Sequence, residues 1–343
     1  MPTNILFDIK PILDSEKLID SIFSKAMKAA STGGFHSKSV TPVTKTRRTE
    51  SKRVLTCAKL LRDRLNEIVL QFPNLDELPK FYFDTIDLLI GVEKLKKILG
   101  SIQGTNKVIW RIHREHTSKI WHSNVLEAKQ LRRSAFSRFQ STIMKLNKRF
   151  IELEKLRSNI RKMPFFNFEN PIIVIAGFPN VGKSSFLHSV TNANPEIAEY
   201  PFTTKNVSIG HYIDSQRGYI TWQIVDTPGI FDRSLTSRNE IEMKAFIAIS
   251  SLPNVVLFIF DPTQIDNLEK QKNLYKELLE KITVKIIFSI NKIDLLSETD
   301  INQLLDDIEA SLGLKKEEII LLLAKDEDYS KNVMRKLAFS IVT

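Results

Sequence analysis

Gly177-Phe178-Pro179-Asn180-Val181-Gly182-Lys183-Ser184 decides how the second half of this chain is read. Glycines at its first and sixth positions, followed directly by a lysine and a hydroxyl residue, match the phosphate-loop pattern in full. The octapeptide follows an apolar β-branched run, Ile172–Ala176, and precedes a stretch expected to be helical, Ser185–Val190. That strand, loop and helix order is the context the pattern requires. The glycines let the backbone curl so that its N–H groups converge on phosphate oxygens, and the helix adds its positive end. Lys183 is placed to reach the β- and γ-phosphates, and the Ser184 hydroxyl to ligate magnesium. Phe178, Pro179, Asn180, Val181 and Ser185 complete the residues expected around the nucleotide.

Outward from this loop, short β-branched runs alternate with helical stretches: Tyr219–Val225, Val255–Phe260, Lys285–Ile290 and Glu318–Leu323. Such alternation predicts a mostly parallel sheet with helices on both faces. Val207–Ile213 and Tyr219–Val225 read as a hairpin. The expected α/β domain therefore has six strands, one of them an antiparallel edge strand. It is assigned residues 166–343.

Three further elements follow in the order a guanine-nucleotide site needs. Asp226-Thr227-Pro228-Gly229 closes one strand, with Asp226 placed to hold magnesium through water and the Gly229 amide to sense the γ-phosphate. Asn291-Lys292-Ile293-Asp294 closes another. The Asp294 carboxylate can accept two hydrogen bonds, from guanine N1–H and the exocyclic amine; adenine lacks that donor pair. Thr203-Thr204 lies between the loop and Asp226, where a mobile segment must supply a second magnesium ligand. Leu323-Ala324-Lys325 follows the last strand, where the Ala324 amide could donate to guanine O6.

The first half differs in composition. Of 343 residues, 50 are Lys or Arg and 40 are Asp or Glu. Residues 1–165 hold 32 basic against 16 acidic residues, and residues 166–343 hold 18 against 24. A basic module beside a mildly acidic one points to a polyanionic partner for the first. Residues 1–165 read as an all-α helical bundle. Leu18, Ile19, Ile22 and Phe23 recur at helical spacing behind a cap at Asp14 or Ser15. Residues 31–53, rich in Ser, Thr, Gly, Lys and Arg, are expected to form a long mobile loop whose Lys38, Lys45, Arg47, Arg48, Lys52 and Arg53 fold onto RNA. Ile86–Leu99 suggests one helix. Leu131, Ala135, Phe139, Ile143, Leu146, Phe150, Leu153 and Ile160 predict the longest helix of this half, about eight turns. One cysteine, Cys57, excludes a disulfide framework. No apolar run reaches the length of a membrane span and the start lacks a secretory pattern; a reducing cytoplasm is expected.

These residues resemble a known family. Tyr200-Pro201-Phe202-Thr203-Thr204 is similar to the first switch of Obg-related GTPases of the translation-factor class, in which the second threonine binds magnesium, which implies Thr204. Asp226–Arg233, Arg238–Met243, Val256–Pro262, Ser51–Leu70, Phe72–Pro79 and Gly91–Lys97 resemble the nucleolar GTP-binding protein family, in what looks like its short archaeal form. The resemblance implies GTP and GDP as ligands, magnesium as cofactor, and a role in maturing the large ribosomal subunit. The partners would be rRNA on the precursor particle and other assembly factors. No membrane is involved, and a monomer is expected off the ribosome. Many GTPases carry a water-orienting Gln after the second-switch glycine; here that position is Ile230, which predicts slow intrinsic hydrolysis. In related GTPases an Asn at the place of Asn180 helps bind potassium, so potassium is a further candidate cofactor. The catalytic set is thus Lys183, Thr204, Gly229 and Asn180. Two alternatives stay open: a GTPase of tRNA modification or a membrane-linked process, and a nucleotide-binding interaction protein with little turnover.

Overall fold

The computed structural model describes residues 2–29, 41–191, 194–201, 206–214, 220–235 and 238–342. The first half forms helices α1 (Pro2–Phe7), α2 (Ser15–Ala29), α3 (Pro42–Leu70), α4 (Lys80–Ile90), α5 (Val92–Trp121), α6 (Val125–Met144) and α7 (Asn147–Lys162). The chain divides into two units. One is Met1–Leu78 with Leu89–Arg161; the other is Pro79–Leu88 with Lys162–Thr343. Most of α4 therefore clusters with the second half.

Three helical expectations are corrected. The loop expected over 31–53 is helical from Pro42 onward. The Thr41 hydroxyl accepts the Thr44 N–H at 3.3 Å, and Pro42 fills the first helical position, where a missing N–H is harmless. Thr46 and Thr49 donate their hydroxyls back to the Pro42 and Lys45 carbonyls at 3.0 and 2.9 Å. Lys45, Arg47, Arg48, Lys52 and Arg53 therefore ride on α3; Lys38 lies outside the described residues. Second, the helix expected over Ile86–Leu99 is two, because Gly91 turns at φ +82° between α4 and α5. Third, the long stripe from Leu131 to Ile160 is broken between α6 and α7, and the longest helix is α5, at 30 residues. Contacts from α2 explain the break. The Ser15 hydroxyl donates to the Ile143 carbonyl at 3.0 Å, and the Asn147 side chain accepts the Ser15 N–H at 3.1 Å. The Ile143 carbonyl also accepts the Leu146 N–H at 2.8 Å, a tighter turn than α-helical spacing. The stripe itself stays inward: Phe139, Ile143, Leu146, Phe150, Leu153 and Ile160 are all buried.

Glu50, on α3, is buried with its carboxylate 2.8 Å from Arg53 and 3.1 Å from Arg132 of α6. Removing one partner of a buried ion cluster leaves the others desolvated and unpaired. Glu50→Ala is expected to lower the stability of the helical unit by about 3 kcal/mol, read as a lower urea midpoint in circular dichroism. An unchanged midpoint would contradict the cluster's structural role.

The second unit is built on strands β1 (Ile172–Ala176), β2 (Glu196–Ala198), β3 (Val207–Asp214), β4 (Ile220–Asp226), β5 (Val255–Phe260), β6 (Lys285–Ile290) and β7 (Ile320–Leu321). Helices α8 (Lys183–Val190), α9 (Glu240–Ser250), α10 (Leu268–Lys281), α11 (Glu298–Leu312) and α12 (Glu327–Val342) connect or flank them. Among the described residues the sheet has seven strands, in the order β2-β3-β4-β1-β5-β6-β7, not six. The added strand, β2, is three residues long, too short to show alternation in sequence, and pairs antiparallel with β3. β3 pairs antiparallel with β4, as the hairpin reading expects, and the β4-β1-β5-β6-β7 pairings are parallel. Trp222, Phe186, Leu257 and Leu322 are buried in one core around β1.

Aromatic contacts hold α4 in this unit. Phe81 meets Phe166 edge-on at 5.4 Å and stacks on Tyr200 at 5.8 Å. The Tyr82 hydroxyl accepts the Phe166 N–H at 2.9 Å and donates to the Pro164 carbonyl at 3.0 Å. The Tyr200 hydroxyl donates to the Ala245 carbonyl of α9 at 3.2 Å. The first residue of the motif that resembles the first switch is thus anchored from two sides.

Candidate functional site

The loop between β1 and α8 needs its glycines. Gly177 has φ +139°, and a Cβ there would lie 2.3 Å from the Ile259 carbonyl oxygen; Gly182 has φ +105°, and a Cβ would lie 2.2 Å from the Asn291 amide nitrogen. Asn180, between them, takes φ +64°, a conformation asparagine accepts better than most residues. The Gly177 N–H donates to the Phe231 carbonyl at 2.9 Å, which ties the loop to the segment after β4. Lys183 is buried, and its ammonium donates to the Gly177 and Phe178 carbonyls, each at 2.8 Å. The cation is thereby held against the loop it serves.

Across the loop, the Ser184 hydroxyl donates to Asp226 Oδ2 at 2.6 Å. Asp226 Oδ1 is buried and has no hydrogen-bond partner among the described residues. Burial, chiefly, raises the Asp226 carboxyl above the usual carboxylate range, against the lowering effect of Ser184 and Lys183. A buried carboxylate oxygen without a partner beside a hydroxyl is an oxygen-donor pair of the kind magnesium takes. Ser184 and Asp226 therefore fit that ion. Thr203 and Thr204 lie outside the described residues. Pro179, Asn180, Lys183, Ser184 and Asp226 line a cleft of about 380 Å³ with Pro228 and Asp232.

A second hollow, about 690 Å³, holds Asn291, Lys292, Asp294, Leu323, Ala324 and Lys325; it shares Asn180, Gly182 and Ser185 with the first. The two make one groove along the loop. Asn291 ties the loop to the segment after β7: its side-chain amide donates to the Val181 carbonyl at 2.7 Å and accepts the Ala324 N–H at 2.9 Å. The Ala324 N–H, expected to face guanine O6, is therefore bonded to Asn291. Lys292 sits at φ +61° and pairs with the fully buried Asp261 at 2.6 Å. Asp294 is exposed at the open side of the hollow.

Beyond β4, Gly229 has φ +84°. Its N–H donates to Asp232 Oδ2 at 2.8 Å. Ile230 is buried, so nothing polar follows the glycine directly. Sequence reading missed three supporting groups: Asp232, Asp261 and Gln264, whose amide donates to the Pro179 carbonyl at 3.1 Å and to Asp261 Oδ2 at 3.2 Å. Only their closeness to the motifs in sequence hinted at them.

Both halves of the chain match known protein families. Residues 8–167 match the family described as the NOG1 N-terminal helical domain, and residues 172–292 match the 50S ribosome-binding GTPase family. Nucleolar GTP-binding protein 1 of Drosophila melanogaster is 32% identical over 255 residues, 73% of this chain. That of Encephalitozoon cuniculi is 31% identical over 291 residues, 84% of this chain. Protein MJ1408 of Methanocaldococcus jannaschii, described as uncharacterized, is 33% identical over 284 residues, 81% of this chain and 79% of its own length.

The chain belongs to the nucleolar GTP-binding protein family. Its second half is a P-loop GTPase domain behind the helical domain of that family. The alignments span only 39% of the Drosophila protein and 54% of the Encephalitozoon protein.

Proposed function

We propose that this chain is a GTP-driven switch that assists assembly of the large ribosomal subunit, with its helical unit held on rRNA of the precursor particle. The observation that carries the reading is the single groove that joins a phosphate end (Lys183, Ser184, Asp226) to a base end (Asn291, Asp294). In this reading Asp294 selects guanine, Lys183 draws charge from the β- and γ-phosphates, and Ser184, Asp226 and Thr204 hold magnesium. The ion, when bound, neutralises charge developing on the phosphates. The Gly229 amide reports whether a γ-phosphate is present. Exposed basic residues on α3, α6 and α7, including Arg48, Lys52, Arg133, Lys148 and Lys155, with Lys145 between α6 and α7, supply phosphate contacts for RNA. Among the described residues no helix is long and apolar enough to cross a membrane. Cytoplasmic action as a monomer off the particle belongs to this reading. So does work alongside other assembly factors.

Gradient sedimentation of cell extract tests it. The chain is expected to migrate with large-subunit precursors in a non-hydrolysable GTP analogue and to leave them in GDP. Migration with tRNA or membranes, or with neither nucleotide state on a particle, would contradict the reading.

Hydrolysis by the free chain is expected to be slow, because buried Ile230 offers no group to orient water. Asn180 lines both parts of the groove, which supports potassium as an added cation near the phosphates. Replacing sodium by potassium is expected to speed phosphate release severalfold. Equal rates in the two salts would remove potassium from the account.

A further inference from the structure

The Gly229 amide has one N–H, and it donates to the Asp232 carboxylate at 2.8 Å. Asp232 is 5% exposed and lines the phosphate end of the groove beside Lys183, Ser184 and Asp226. A carboxylate buried to this degree is costly unless charge or hydrogen bonds compensate it. Here the compensation is the glycine amide and attraction from the nearby Arg238 guanidinium, while Asp226 repels it. Arg238 is itself fixed: it donates to the Ile230 and Arg233 carbonyls and lies 5.2 Å over the Phe246 ring of α9.

A γ-phosphate needs that same N–H and brings about two negative charges into the pocket. One donor cannot serve both anions at full strength, and the two anions repel each other. A triphosphate must therefore displace the carboxylate, whereas a diphosphate need not. We propose that Asp232 is a specificity-determining residue of the switch, an internal stand-in for the γ-phosphate at Gly229 that biases the empty and GDP-bound states against GTP. The proposal rests on the reading that Gly229 meets the γ-phosphate. On release, Asp232 can swing toward Arg238, which links nucleotide state to the segment leading into α9.

The test uses the full chain in magnesium, wild type beside Asp232→Asn and Asp232→Ala, with fluorescent GDP displaced by GDP or by guanosine imidotriphosphate. Both variants are expected to bind the imidotriphosphate about tenfold tighter than wild type, about 1.4 kcal/mol, with GDP affinity changed less than twofold. An unchanged ratio of the two affinities, or an equal gain for both nucleotides, would overturn the proposal. A loss of turnover with the ratio unchanged would also overturn it, by making Asp232 a catalytic group. Wild-type protein that binds neither nucleotide would contradict the site assignment itself, and Asp232's role with it.

Discussion

Asp294→Asn is expected to weaken GTP binding by about a thousandfold and to create affinity for xanthosine triphosphate. The carboxylate is exposed at the base end of the groove, so its replacement leaves the fold intact. In the proposed site its two oxygens would accept from guanine N1–H and the exocyclic amine. An asparagine offers one acceptor and one donor, so its amide hydrogens face the guanine amine. Two hydrogen bonds to a charged group, at about 1.5–3 kcal/mol each, account for a loss of about 4 kcal/mol. Xanthine carries an oxygen where guanine carries the amine, and the asparagine amide can donate to it. Competition against fluorescent GDP and fluorescent XDP reads both changes. Full retention of GTP preference in the variant would remove Asp294 from the base site.

Lys183→Ala is expected to lower GTP hydrolysis by about a thousandfold, the scale seen when a preorganised positive donor is removed from a transition state. The ammonium is buried between the Gly177 and Phe178 carbonyls at 2.8 Å, so it is fixed in place before substrate arrives. Its loss removes a buried lysine that lines the phosphate end of the groove and leaves two loop carbonyls without their cation. Single-turnover phosphate release measures the effect, with thermal melting to confirm folding. A rate within tenfold of wild type would show that the groove does not carry the chemistry.

The candidate site was legible in the sequence where its logic is local. The phosphate loop, Asp226–Gly229 and Asn291–Asp294 each need particular residue types at fixed spacing next to a strand, and β1, β4 and β6 supply those strands. Features set by tertiary contact were not legible. The Ser, Thr, Lys and Arg density of 41–53 reads as loop, yet the Thr41 cap, Pro42 at the first helical position and the buried Glu50 cluster make it helix. The break between α6 and α7 depends on Ser15, more than a hundred residues away in sequence. The clustering of α4 with the second half depends on Phe81 and Tyr82 meeting Phe166 and Pro164. Asp232 stands three residues after Gly229, but only the left-handed turn at that glycine aims the amide at its carboxylate.

Phosphate release from GTP and from ATP by the purified chain, in magnesium and potassium, bears most directly on whether this groove is a guanine-specific switch. Slow but measurable release from GTP, with release from ATP at least about a hundredfold lower, is the expected result. Equal release from both, or release from ATP alone, would contradict it.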